Sequence, residues 1–70
     1  MKLKWTDIYA IAEELYDRFP ELDPLTIRFT DLHQWVLEIE GFEDDAERSG
    51  EKVLEAIQMA WLDEWKTDNA

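Results

Sequence analysis

The amino-acid sequence predicts a mostly α fold: a compact three-helix domain with at most short β bridges. Three observations lead there. Apolar residues recur at offsets of three and four in three separate stretches. Each stretch opens on residues able to cap a helix. Pro20 and Gly41 close the first two. Proline disfavours helical geometry in the residue before it, and glycine suits a C-terminal cap.

The first helix opens on Thr6 or Asp7 and carries Ile8, Ile11, Ala12, Leu15, Tyr16 and Phe19 on one face. Glu13, Glu14, Asp17 and Arg18 lie on its outer face, and Trp5 stands where it can staple back onto the first turn. In the connector, Asp23-Pro24 reads as a turn, or as the cap and first residue of a single helical turn. Ile27-Arg28-Phe29 is β-prone and suits one isolated bridge. Leu22, Leu25, Ile27 and Phe29 are expected to plug the core. A second helix is expected over 31–40, capped by Thr30, with Leu32, Trp35, Val36 and Ile39 on its apolar face and Trp35 as the buried anchor. An acid-rich loop over 43–47 follows. Ser49 is the expected cap of a third helix that carries Val53, Leu54, Ile57, Ala60 and Trp61 on one face. Met59, Leu62 and Trp65 make its second half apolar nearly all round, as in a helix wrapped by the N-terminal segment and the connector.

Seventy residues form a single domain, 1–70, with fraying expected over 1–4 and 66–70. So short a chain buries a modest fraction of its surface, and four Trp, three Phe and two Tyr offset this. With no cysteine there is no disulfide framework and no thiolate metal site. The opening residues lack the apolar run of a signal peptide, and no stretch approaches the roughly 20 apolar residues of a membrane span. A cytoplasmic location is the expectation. Eighteen acids against seven bases leave a formal charge of −11. That charge repels nucleic acid and anionic lipid and favours cationic partners: a basic protein surface, a metal ion, or both. Alternatively, it only keeps the domain soluble and monomeric.

His33 is the one histidine, and no serine or glycine-rich loop is placed to make a nucleophilic or phosphate-binding site with it. A structural or capping role is expected, and no enzymatic activity. Glu38, Glu40, Glu43, Asp44, Asp45 and Glu47 fall within ten residues. Clustered carboxylates suit hard cations, although the EF-hand spacing is absent. Glu13, Glu14 and Asp17 form a second acidic set, with Glu21 just beyond. If the first two helices pack side by side, both sets merge into one negative field that steers a basic partner. Leu37 then stands either as an apolar interface anchor among carboxylates or packed on the connector.

LKWTD at 3–7, LYD at 15–17, the FP and LDP of 19–24, RFTD and HQW within 28–35, and EKVLEAI with WLDEW within 51–65 closely resemble the IscX (YfhJ) family of small acidic proteins in bacterial iron–sulfur cluster assembly. The resemblance spans nearly the whole chain. It implies a winged-helix-like type and docking of the acidic face on the cysteine desulfurase IscS. It also implies weak binding of Fe2+ or Fe3+ with no tightly bound cofactor, and modulation of sulfur transfer in competition with bacterial frataxin. The alternative it leaves is an iron donor to the cluster scaffold. Charge and resemblance together select Glu13, Glu14, Asp17, Asp31, Leu37, Glu38 and Glu40 for the partner, and Glu38, Glu40, Glu43, Asp44 and Asp45 for iron. Relatives can carry cysteine where this chain has Leu37, so no thiolate acts at this position.

Overall fold

The first helix starts where the periodicity places it. In the computed structural model, which describes residues 2–69, α1 spans Ile8–Arg18 and buries Ile11, Ala12 and Leu15. Asp7 occupies the N-cap position, yet its carboxylate turns back to accept the Lys4 N–H at 2.9 Å instead of capping the first turn. The Phe19 N–H closes the far end on the Leu15 carbonyl, directly before Pro20.

Asp23 and Pro24 do form the cap and first residue of a short 3-10 turn, Pro24–Thr26, in which the Asp23 side chain accepts the Leu25 N–H at 2.9 Å. Pro24 is buried, and its carbonyl accepts from Gln58 Nε2 at 2.8 Å. With Pro24 turned inward, Leu25 points out and is 59% exposed, so it does not plug the core. Leu22, Ile27 and Phe29 do pack against it.

The second helix, α2, spans Phe29–Leu37 and is displaced toward the N-terminus relative to 31–40. Arg28 is its extended N-cap residue, and the Leu32 N–H bonds to the Arg28 carbonyl at 2.9 Å, which draws Phe29 and Thr30 into the first turn. Thr30 therefore does not cap, and no bridge forms over 27–29. At the other end the N–H of Ile39 reaches back only three residues, to Val36, and that of Phe42 to Ile39. This tightened exit ends at Gly41, whose φ of 90° is open to glycine at no steric cost. It also leaves Glu38 and Glu40 outside the helix.

The third helix, α3, spans Glu51–Asn69. The Gly50 carbonyl accepts its first N–H groups, from Val53 and Leu54. Ser49 does not cap it: the hydroxyl donates to the Ala46 carbonyl at 3.1 Å and closes the preceding 3-10 turn, Ala46–Arg48. α3 packs mainly on α1 and next on the Pro24–Thr26 turn. Leu54, Ile57, Ala60, Trp61 and Leu62 are buried, while Met59 stays 51% exposed.

Trp61, fully buried, anchors the core. Trp35, the expected anchor, is only half-buried and lies against Phe19 (ring centroids 4.7 Å apart) and Trp61 (6.3 Å). The nine-residue α2 turns Leu32 and Val36 fully inward, which leaves Trp35 at the edge of its apolar face.

Among the described residues, the β pairing is a single parallel bridge, Leu3 with Phe42. The Leu3 N–H donates to the Gly41 carbonyl at 2.7 Å, and the Glu43 N–H donates to the Leu3 carbonyl at 2.9 Å. Leu3 is buried, and α3 runs past Lys66 to Asn69. The fraying expected of Met1 and Ala70 lies outside the described residues. The radius of gyration is 11.1 Å, matching the roughly 11 Å of a folded chain of this length. No described helix is long and apolar enough to cross a membrane.

Candidate docking surface

The acidic loop is shaped by a side chain from the far end of the sequence. Trp5 is 3% exposed. Its backbone N–H donates to Asp44 Oδ2 at 3.1 Å, and its indole Nε1–H donates to the Asp45 carbonyl at 2.7 Å. The ring stacks on His33 (5.6 Å between centroids) and meets Phe42 edge-on at 4.8 Å. His33 Nε2 lies 2.8 Å from the Ala46 carbonyl. A carbonyl only accepts, so the proton sits on Nε2. Three successive loop residues, Asp44, Asp45 and Ala46, are thus held by the Trp5 backbone N–H, the Trp5 indole and the His33 imidazole. His33 has the structural role expected of it. The organising role of Trp5 goes beyond the helix staple that the sequence suggests; its sole sequence signal is an aromatic residue just ahead of a cap.

Asp44 is the carboxylate that this arrangement uses most. Its side chain is 13% exposed, accepts the N–H of Trp5 and that of Asp45 (2.7 Å), and lies 3.8 Å from Arg48 Nη1. The Trp5 N–H foremost, then the Asp45 N–H, with smaller help from the charges of Arg48 and Lys4, hold its pKa below the ordinary 3.8 against partial burial. A depressed carboxylate pKa stabilises the fold above the ordinary value, and this contribution is lost as pH falls through the lower folded value. Asp44→Asn is therefore expected to flatten the acid limb of stability. Melting temperature followed from about pH 5 to about pH 3 should fall less steeply for this variant than for the wild type. Parallel curves would refute the assignment.

The remaining candidates for iron are dispersed. Asp45 Oδ1 accepts the Glu47 N–H at 2.9 Å and caps the Ala46–Arg48 turn. Glu43 faces Lys2 at 3.7 Å. Glu38 and Glu40 are exposed on the exit from α2. Among the described residues, no three Asp, Glu or His side chains converge as a metal ion requires. The five candidate ligands are thus not brought together.

The partner candidates assemble better. Glu13, Glu14 and Asp17 are exposed on α1. At its end, Arg18 Nη2 donates to the Glu38 carbonyl at 3.1 Å, tying the end of α1 to the exit of α2. Asp17, Glu38 and Glu40 therefore share one end of the molecule. Asp31, exposed in the first turn of α2, lies about 10 Å away along the helix axis. Leu37 is half-buried and packs against the core, so it is not a free-standing anchor.

A family model described as iron-sulphur cluster assembly matches residues 3–66. An uncharacterized protein of Pseudomonas aeruginosa is 56% identical over 64 residues, covering 91% of this chain and 97% of that protein.

Proposed function

This chain belongs to the IscX family of iron–sulfur cluster assembly proteins, and from that premise we propose that it is an adaptor that docks on the cysteine desulfurase IscS through its acidic end. The observation that carries this reading is the Arg18–Glu38 tie, which joins the acids of α1 to those leaving α2 in a chain of charge −11. Such a surface attracts a basic patch, speeds encounter and loses strength with salt. By covering that patch the adaptor modulates sulfur transfer and excludes bacterial frataxin. The protein performs no catalytic step in this reading, and its one histidine is occupied by a backbone carbonyl. Its setting is the cytoplasm. A winged-helix-like type belongs to the same proposal, supported by three helices and a bridge that pairs Leu3, ahead of the first, with Phe42, between the second and third.

Iron enters as a weakly held ion on dispersed carboxylates, where it neutralises charge and lowers affinity for the desulfurase. The scattered ligands favour this over an iron donor, which needs a defined site.

The test is binding to the desulfurase at low and high salt, wild type against Glu13→Gln, Asp17→Asn, Glu38→Gln and Glu40→Gln combined. Asp44 and Asp45 are left intact because their carboxylates shape the loop. The expected result is salt-sensitive binding, weakened about tenfold or more, roughly 1.4 kcal/mol, by the four amides. Binding that ignores them, or no binding, would overturn the proposal.

A further inference from the structure

We propose that the outer groove between α1 and α3 is a second docking surface, and that it takes a basic amphipathic helix of a partner protein. Three large apolar side chains stand exposed among the described residues, and two of them, Tyr9 (77%) and Met59 (51%), border this groove. It holds about 330 Å³ and is lined also by Ile8, Ala56, Ala60 and Asp63. Ala56 and Ala60 lie one turn apart on α3 and offer only methyl groups, so the helices leave open space between the walls set by Tyr9 and Met59. A shallower continuation runs along α3 past Glu55 and Lys52. Paired exposed apolar residues beside an open apolar floor are the surface form of a site that receives another chain.

Charge selects the occupant. Glu55 and Asp63 stand one helical turn on either side of Met59, and Glu13 stands one turn beyond Tyr9; Lys52 closes the far end. A second copy of this chain, itself at −11, is repelled, as are nucleic acid and anionic lipid. An apolar anchor flanked by Lys or Arg fits, and the length of the groove along α3 suits a helix laid into it. No α2 residue lines this surface; it shares Glu13 on α1 with the desulfurase reading, so the control variants are taken from the exit of α2.

The experiment titrates the isotope-labelled full chain with a synthetic Leu/Lys amphipathic peptide of about four helical turns. A control peptide of equal charge carries serine for leucine, and both are used at about 150 mM salt. The leucine peptide is expected to give saturable NMR shifts at Ile8, Tyr9, Ala56, Met59 and Ala60. Met59→Ser is expected to weaken it roughly tenfold, the effect of one desolvated anchor, and Tyr9→Ser severalfold. Glu38→Gln with Glu40→Gln should leave it unchanged. Equal binding of the serine peptide, shifts confined to 43–47, or self-association of the chain through this groove would each overturn the proposal.

Discussion

Trp61→Ala is expected to abolish, or nearly abolish, cooperative unfolding at about 25 °C, because truncating a fully buried tryptophan costs about 3–5 kcal/mol. A 70-residue domain has about 4–10 kcal/mol in total, at roughly 0.05–0.15 kcal/mol per residue. Trp61 is 0% exposed and touches both Phe19 and Trp35. Its indole N–H is buried without a hydrogen-bond partner among the described residues. Its contribution therefore comes from packing alone, and no hydrogen bond is lost with it. Trp35→Ala removes a half-buried ring and should cost clearly less. Urea denaturation followed by far-UV circular dichroism separates the two. A Trp35→Ala variant less stable than Trp61→Ala would show that the core is centred on α2 instead of α3.

Trp5→Ala is the second large effect, again about 3–5 kcal/mol from burial, and it carries a local signature. The indole packs on His33 and Phe42 and holds the Asp45 carbonyl. Without it, the acidic loop loses its support from the N-terminal segment. Amide hydrogen exchange should accelerate first at Leu3, Glu43 and Glu47, whose N–H groups bond to the Gly41 carbonyl, the Leu3 carbonyl and the Asp45 carboxylate. Trp5→Phe keeps most of the packing and drops one hydrogen bond, for about 1 kcal/mol. It should speed exchange at Glu47 while leaving the α1–α3 core protected. Unchanged exchange at Glu43 and Glu47 in both variants would show that the loop holds its shape unaided.

The three helices were legible because helical periodicity is a local property: Ile11, Ala12 and Leu15, or Leu54, Ile57 and Trp61, announce a buried face within a few turns. The shift of α2 was not legible. Arg28 carries no capping side chain, and Glu38 to Glu40 keep helix-forming residues through a turn that tightens only because Gly41 must deliver Phe42 to Leu3. The acids were plain in the composition, but their uses were not. Asp44 serves the Trp5 N–H, a partner 39 residues away, and no short-range pattern reports such a pairing. The same distance hid the bridge, which was expected at 27–29. Leu25 and Pro24 exchanged roles because a 3-10 turn has three residues per turn and presents only one of its two apolar members to the core.

The link between Trp5 and Asp44 also sets an order of events in folding. Closing a loop of about 39 residues costs about 3 kcal/mol of chain entropy beyond a constant term. On the ribosome, Leu3 and Trp5 wait through the synthesis of α1 and α2 before Phe42 and Asp44 exist to receive them. Until then the early segment keeps two apolar side chains in water, and the acids of the loop have no fixed geometry. The corner that shapes the loop is thus assembled late, by encounter between distant parts of the chain. A nascent chain stopped before residue 42 carries the acids of α1 without the loop that the finished domain sets beside them.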